Sequence, residues 1–314
     1  MIQRRTLGIV GIGNVGKAAA YALFNQRVAS EIILNDLNHE RAEGEAMDLM
    51  HGQMLVGNVT ARAGDYADMA DAQLIVISAG ASQKSPDETR LELLERNVRI
   101  FEQIVAQLDK HAPNAMLVVA TNPVDVLTYV TQELSERPDE RIIGTGTLLD
   151  TARFRALLGR HYGVDPRSVH AYILGEHGDS EVPIWSNASI GNQRIKEGPI
   201  NDIAFDETAM EQLFEDARDA AYQIIERKGH TDTAIGVVIA RIVRAVVEDQ
   251  RSVLPVSVRA NGAYGIRDVC LSLPAVVGRH GIAGRVTPTL SEAEYEGLQA
   301  SARVLKESRE GVTV

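Results

Sequence analysis

The chain has 314 residues, 45% of them hydrophobic and 24% charged, which is enough apolar material for one large or two medium globular domains. The formal net charge of -11 argues against a general affinity for nucleic acid or anionic membranes, because both need positive charge. The apolar stretch after Arg4 and Arg5 is too short for a signal peptide, and no run reaches the ~18 apolar residues of a membrane span. We therefore expect a soluble, cytoplasmic protein with no nucleic-acid or membrane partner.

The chain contains one cysteine, Cys270, so it cannot form an internal disulfide, and nothing points to an oxidising compartment. Cys270 lies in a short strand-like segment, which favours a buried packing role over that of a nucleophile.

The first half of the chain alternates short β-branched runs with longer amphipathic stretches. The predicted strands are residues 6–10, 31–34, 59–63, 74–78, 116–120 and 142–143. The predicted helices are residues 15–26, 39–50, 88–110 and 124–136. Most of these strands are apolar on both faces, which is typical of buried parallel strands. The βαβ alternation predicts an α/β fold with a doubly wound parallel sheet.

The second half has a different order of elements. A helix is predicted over 150–162, followed by a strand over 169–174 and a glycine-rich turn. Further predicted elements are helices at 206–227 and 232–248, strands at 252–258 and 267–273, and a terminal helix at 292–307. This order predicts an α+β domain packed on the first.

A glycine-rich segment joins the first predicted strand to the first helix. Residues 11–16 read GIGNVG, with Gly11 for a tight turn, Gly13 for close approach of a pyrophosphate and Gly16 for helix–strand packing. The helix N-terminus offers free N–H groups and a partial positive charge to phosphates. Asp36 ends the second strand, where a carboxylate accepts hydrogen bonds from a ribose and repels a 2′-phosphate.

These features predict a Rossmann-type domain that binds NAD in preference to NADP. The alternative is a simple tight turn with Asp36 as a solvated strand end. We place the domains at residues 1–145 for NAD binding and 146–314 for an α+β substrate domain.

His177 stands out among eight histidines because it lies between glycines directly after a predicted strand. Such a position is poor for packing and well placed to face a cleft, where an imidazole can accept the proton of an alcohol that is being oxidised. The imidazole needs a partner that fixes its tautomer, and Asp150 is the candidate. The competing interpretation makes Asp150 a helix N-cap.

Several segments in this order resemble the L-lactate dehydrogenase family, within the lactate/malate dehydrogenases. The matching segments are residues 11–16, 78–97, 121–125, 144–155 and 170–180, with a weaker match at 273–278. They are spread over most of the chain, and the combination of NPVD, LDTARFR and GEHGD is very specific.

The resemblance implies roles for individual residues. His177 would exchange the substrate proton and Asp150 would orient it, while Arg153 would hold the substrate carboxylate through two parallel hydrogen bonds. Arg90 would polarise the substrate oxygen from a mobile loop, and Asn122 would help to position that oxygen. Hydride would pass directly between substrate and nicotinamide, so no metal is expected.

The resemblance also implies substrate and cofactor contacts. Thr231 would line the pocket near C3 of the substrate. The implied cofactor contacts are Gly11, Gly13, Val15, Gly16, Asp36, Tyr66, Gly80, Ala81, Asn122 and Thr145.

The residue at position 83 favours lactate over malate. A malate enzyme typically has an arginine there for the second carboxylate, whereas Gln83 is neutral and would leave that charge uncompensated. Lys84 is an adjacent cation, although a solvated lysine is common in bacterial lactate dehydrogenases. The loop looks one residue longer than usual around 85–87, which leaves branched 2-keto acids open. Asp232 follows Thr231 and is expected to point away from the pocket.

The resemblance also bears on regulation and assembly. Arg155 and His170 match positions that bind fructose 1,6-bisphosphate between subunits of many bacterial relatives, although both have an ordinary structural explanation as surface residues. We expect a homotetramer without the N-terminal arm of vertebrate-type enzymes. The alternatives are a malate or branched-chain L-2-hydroxy acid dehydrogenase, or a catalytically silent NAD-binding protein.

Overall fold

The computed structural model describes residues 5–81 and 89–310, except for the side chain of Arg90. The first half contains strands β1 (Thr6–Val10), β2 (Glu31–Asn35), β3 (Thr60–Ala63), β4 (Leu74–Ile77), β5 (Met116–Val119) and β6 (Ile142–Gly144). The helices between them are α1 (Asn14–Asn25), α2 (His39–His51), α3 (Gln53–Val56), α4 (Arg90–His111) and α5 (Val124–Leu134). Each predicted element of this half is present, and α3 is an additional short helix.

The six strands pair in parallel in the order β3-β2-β1-β4-β5-β6. The predicted doubly wound parallel sheet is therefore confirmed. Strands β1, β4 and β5 are buried along their whole length, because helices cover both faces of the sheet. The carboxyl ends of β1 and β4, on either side of the point where the strand order reverses, open onto one edge of the sheet.

The second half begins with α6 (Leu148–Tyr162) and ends with α9 (Glu292–Glu310). The elements between them are β7 (Val169–His170), β8 (Ile173–Leu174), β9 (Val182–Pro183), β10 (Ser189–Ile190), β11 (Gln193–Arg194), α7 (Glu207–Lys228), α8 (Thr233–Val247), β12 (Ser252–Arg259), β13 (Cys270–Gly278) and β14 (Gly281–Arg285). The single strand expected over 169–174 is two strands in different sheets, since β7 pairs with β10 and β8 pairs with β9.

The sheet of the first half continues into the second. Strands β12, β13 and β14 add antiparallel to the β6 edge, so that nine strands of the described chain form one sheet. Strand β14, with its two glycines and no clear alternation, was absent from the sequence prediction. A smaller core packs around Phe154 and Tyr162 of α6.

Cys270 is fully buried at the start of β13, as its sequence context predicted. Within the described ranges, no helix is both long enough and apolar enough to cross a membrane.

Candidate active site

The glycine-rich loop follows β1 and leads into α1. Gly11 has φ +92°, and a Cβ there would collide with the backbone of Ala79. A Cβ on Gly16 would collide with the carbonyl oxygen of Gly11, so the turn needs both glycines. The loop therefore brings the N-terminus of α1 close to the ends of β1 and β4.

Gly13 differs from Gly11 and Gly16, because a Cβ at Gly13 would meet no atom within 4 Å. Gly13 caps α1 without any side-chain hydrogen bond, so the first N–H groups of the helix face open space. This loop borders a cleft of about 1210 Å³ that also includes Asp36, Tyr66 and Gly80. A dinucleotide fits this combination, since the pyrophosphate needs free amides and close backbone approach.

Asp36 lies just beyond the end of β2 and organises the loop as well as lining the cleft. Its Oδ2 accepts a hydrogen bond from the N–H of Ile12 at 2.6 Å, and its Oδ1 accepts one from the N–H of Asn38 at 2.9 Å. Each carboxylate oxygen keeps a lone pair free for a ribose hydroxyl.

Asp150 joins His177 and Arg153 in one buried cluster. Its Oδ2 lies 2.6 Å from Nδ1 of His177, and its Oδ1 accepts a hydrogen bond from Arg153 at 2.9 Å. Asp150 is only 2% exposed, whereas the side chain of His177 is 25% exposed. Asp150 is the third residue of α6 and Thr147 is the N-cap, so the N-cap interpretation of Asp150 is wrong.

The charges of this cluster determine its protonation. Burial alone would lower the pKa of His177, but the acidic residues around it, Asp150 first among them, together outweigh burial and raise that pKa to about 9. Burial would raise the pKa of Asp150, yet the imidazole and Arg153 hold it below its usual range. Asp150 is therefore ionised, Nδ1 carries the proton that it donates to Asp150, and Nε2 remains for a substrate.

The loop that carries His177 is fixed to three parts of the fold. Gly175 exchanges backbone hydrogen bonds with Ser272 of β13 at 3.1 and 2.8 Å. The N–H of Glu176 donates to the hydroxyl of Ser301 on α9 at 2.7 Å. The N–H of His177 donates to Asp125 of α5, also at 2.7 Å. These contacts hold the imidazole against Asp150.

Other predicted residues lie on the same edge of the sheet. Asn122 is exposed between β5 and α5, and its peptide bond with Pro123 is cis. Thr145 is buried directly after β6, and Ala81 donates its N–H to Asn97 at 2.7 Å. Val15 lies in the first turn of α1, partly buried against the core.

The remaining predicted substrate residues are Thr231, Gln83 and Arg90. Thr231 is half-buried in the turn before α8. Gln83 lies outside the described residues, as does the side chain of Arg90, whose backbone begins α4.

Comparison with known proteins identifies the family. Residues 6–144 match the NAD-binding domain of lactate/malate dehydrogenases, and residues 147–313 match the α/β C-terminal domain of the same enzymes. The chain belongs to the lactate/malate dehydrogenase family. It is accordingly an NAD-dependent oxidoreductase, as the glycine-rich loop and Asp36 predicted.

Curated relatives and solved structures of the family agree over the full chain. An L-lactate dehydrogenase of Salinibacter ruber is 71% identical, covering 100% of this chain and 99% of its own. An L-lactate dehydrogenase of Gloeobacter violaceus is 48% identical over 97% of this chain and 92% of its own. A minor L-lactate dehydrogenase from Enterococcus mundtii, solved with ligands bound, has a TM-score of 0.96 at 41% identity and covers 99% of both chains.

Two acidic residues of this family member were overlooked in the sequence. Asp125 was part of a matched motif but had no assigned role, and Glu181 directly follows the matched segment 170–180. Both are buried beside His177, and burial raises the pKa of Asp125 to about 6. The sequence did contain an indication of their burial, because each acid is next to apolar residues that form a helix or strand.

Asp232 is bound by residues close to it in the sequence, between α7 and α8. Its Oδ1 accepts a hydrogen bond from Lys228 at 2.5 Å and one from the N–H of Thr233 at 2.7 Å, and its Oδ2 lies 3.1 Å from His230. These partners keep the pKa of Asp232 well below its usual range.

The two predicted effector residues lie on neighbouring elements. Nε of Arg155 donates to the carbonyl of Ala171 at 2.8 Å, and its guanidinium stacks 4.9 Å from the ring of Tyr172. His170 is exposed on β7. The side chain of Arg155 thus extends along the strand segment that presents His170.

Proposed function

We propose that the protein is an L-lactate dehydrogenase that interconverts L-lactate and pyruvate with NAD. One observation carries the proposal. Asp150 binds the imidazole of His177 with one oxygen and the guanidinium of Arg153 with the other, in a chain that is 71% identical to an L-lactate dehydrogenase. A proton-exchanging group and a carboxylate-binding group are thereby fixed side by side.

Each residue of the site has a separate role in the proposed reaction. Arg153 binds the substrate carboxylate, which places the C2 hydroxyl near Nε2 of His177. His177 takes the hydroxyl proton during oxidation and returns it during reduction, while Asp150 stabilises the imidazolium. Asn122 and Arg90 are assigned to the substrate oxygen, and Thr231 to its C3 end. NAD supplies or accepts the hydride when bound in the cleft beside the glycine-rich loop.

A substrate panel tests this assignment. We expect NADH oxidation to be fastest with pyruvate, slower with oxaloacetate and slower with 2-ketoisocaproate. A preference for oxaloacetate would identify a malate enzyme, and one for 2-ketoisocaproate a branched-chain enzyme. NADH binding without turnover of any keto acid would identify a silent NAD-binding protein.

The choice of pyruvate rests on the neutral side chain of Gln83. The variant Gln83→Arg supplies the cation that a second carboxylate needs, so the ratio of kcat/KM for oxaloacetate to that for pyruvate should rise. Lys84→Gln is the matched control, because it removes the adjacent cation. An unchanged ratio in Gln83→Arg would remove the selectivity role of Gln83.

We also propose a homotetramer that binds fructose 1,6-bisphosphate through Arg155 and His170 from two subunits. The exposed imidazole on β7 and the guanidinium extending along the same segment support this proposal. Fructose 1,6-bisphosphate should change the pyruvate saturation curve of the native chain but leave that of Arg155→Gln unchanged. Sedimentation with and without the sugar would measure the assembly. An unchanged curve and mass would contradict the proposal.

The proposed site of action is the cytoplasm, and the proposed domain division is at residues 145 and 146. The junction of the two family models, between residues 144 and 147, supports that division.

A further inference from the structure

Glu181 is a buried acid next to the catalytic pair that the proposed mechanism does not use. It precedes β9 and is only 7% exposed. One of its carboxyl oxygens, one of Asp150 and a ring nitrogen of His177 all lie within 4.8 Å of one another. Its Oε1 is buried and has no hydrogen-bond partner among the residues that the structure describes. An ionised carboxylate would be poorly stabilised there.

We propose that Glu181 is a positioning residue that is held as an uncharged carboxylic acid beside the Asp150–His177 pair. In this form it leaves the positive charge of Arg153 available to the substrate carboxylate. This inference rests on the proposed function.

The charges of the reactive complex support an uncharged Glu181. In keto acid reduction the site holds three anions, which are Asp125, Asp150 and the substrate, and three cations, which are Arg90, Arg153 and His177. These six charges sum to zero. An ionised Glu181 would add an uncompensated negative charge to a largely buried site, and it would compete with the substrate for Arg153.

The surroundings of Glu181 contain acids and bases on several elements. Asp150 and Arg153 face it from α6, His177 faces it from the loop after β8, and Arg218 faces it from α7. Arg218 forms its own ion pair with Asp219 at 3.0 Å and is partly exposed, so its charge is only weakly available to Glu181.

These neighbours determine where Glu181 loses its proton. Burial is the largest cause that raises the pKa of Glu181, and the Asp150 carboxylate raises it further. The cations His177, Arg153 and Arg218 only partly offset them, so the pKa lies well above the usual range. Asp125 acts indirectly, because its carboxylate raises the pKa of His177.

The proposal has a consequence for pyruvate binding at alkaline pH. Binding needs two protons, one on His177 and one on Glu181, and both are lost as the pH rises through two raised pKa values. Once both groups have lost their protons, each further pH unit should raise KM for pyruvate about a hundredfold, because two protons must be taken up for each substrate bound.

Infrared titration of the whole protein tests the protonation state directly. The native chain should show a carboxylic acid C=O stretch at pH 7 that disappears at alkaline pH and is absent from Glu181→Gln. Glu181→Met is a second variant of similar size that assigns the band if the glutamine variant does not fold. Glu197→Gln is the control, since Glu197 is an exposed surface acid. If the native spectrum at pH 7 contains no carboxylic acid band that disappears in Glu181→Gln or Glu181→Met, the proposal is overturned.

Kinetics at saturating NADH provides a second test. In Glu181→Gln only His177 still loses a proton, so the alkaline rise in KM for pyruvate should fall to about tenfold per pH unit. An equal slope in the native chain and in Glu181→Gln would overturn the proposal. So would a tenfold or greater decrease in the KM of Glu181→Gln at pH 7, since it would show that the native residue is already ionised.

The two proposals fail in different ways. If the native chain reduces no 2-keto acid, the proposed function fails, but the infrared band still reports on Glu181. If pyruvate is reduced and the band is missing, only the role of Glu181 fails.

Discussion

His177 would be an ordinary exposed imidazole without its neighbours. The Asp150 carboxylate at 2.6 Å fixes which nitrogen carries the proton. Against the effect of burial, it is the main contributor among the acidic neighbours that raise the pKa of the ring to about 9. Asp125 holds the backbone of the same residue, so both the ring and the loop are constrained. The group is consequently protonated near neutral pH, ready to donate a proton to a keto acid.

The first prediction concerns Asp150. Asp150→Asn keeps the size of the side chain but removes the charge that stabilises the imidazolium. We expect kcat/KM for pyruvate to fall about 10²- to 10⁴-fold, the usual contribution of general acid–base catalysis, and the kinetic pKa of His177 to fall as well. Steady-state rates across the pH range measure both effects.

Asp165→Asn is the matched control, because Asp165 forms a solvent-exposed ion pair with Arg167. A native pH profile in Asp150→Asn would mean that Asp150 does not act on His177.

The second prediction concerns Arg153. Arg153→Lys keeps the charge but loses the planar fork that binds a carboxylate through two hydrogen bonds. One lost hydrogen bond to a charged group corresponds to roughly a 10- to 100-fold increase in KM for pyruvate. Initial-rate kinetics provides the measurement, with Arg167→Lys as control. A KM within twofold of the native value would contradict the proposed role.

At the scale of elements, the site is built from segments that follow strands. The glycine-rich loop follows β1, Asp36 follows β2, and His177 lies three residues beyond β8. The parallel strands β1 and β2 place their carboxyl ends at one edge, where the N-terminus of α1 adds free N–H groups. Strand β8 belongs to a separate antiparallel pair, and the pairing of Gly175 with Ser272 of β13 attaches the His177 loop to the main sheet. The local sequence of each loop thus decides its chemistry, while the sheet decides which loops meet.

The third prediction separates the two roles of glycine in this loop. Gly13→Val adds a side chain into open space, so the thermal stability should be nearly unchanged. KM for NADH should rise at least tenfold, because the new side chain keeps the pyrophosphate away from the backbone of the loop. Gly11→Ala places a Cβ against Ala79 at φ +92°, so it should lower the free energy of unfolding by about 1–3 kcal/mol.

Calorimetry and NADH titration of both variants test this contrast. If Gly13→Val bound NADH as well as the native chain, the cofactor would not lie at this loop.

At the scale of the molecule, one sheet connects the two halves of the sequence. Strand β13 pairs with β12 over eight residue pairs, and Ser272 within it also pairs with Gly175 on the way to His177. The cofactor cleft and the acid–base cluster are therefore attached to one continuous framework. Their relative position depends on pairings between residues far apart in sequence.

The fourth prediction concerns stability as a function of pH. The pKa of His177 is 6.5 when exposed and about 9 when folded, so the native state binds this proton more tightly. That stabilisation is fully present below pH 6.5 and is lost as the pH rises to about 9. The Tm of the native chain should decrease over this interval, and the decrease should be smaller in His177→Asn.

His39→Asn is the control, because His39 is an exposed helix residue paired with Glu43. Equal pH dependence of Tm in the native chain and in His177→Asn would show that His177 is not the group responsible.

The amino-acid sequence was sufficient to predict the parallel α/β fold, the glycine-rich loop with Asp36, and the family, because hydrophobic periodicity and short motifs are local properties. It also placed His177, Asp150 and Arg153 on the elements that carry them. It missed β14 and the division of residues 169–174, since pairing partners of short strands are set by distant residues.

The additional acids beside His177 could be identified only in the folded structure. Asp125 and Glu181 are separated from Asp150 by 25 and 31 positions, and no spacing rule joins the three. Their protonation depends on burial and on charges from other elements, which exist only after the sheet and helices have packed.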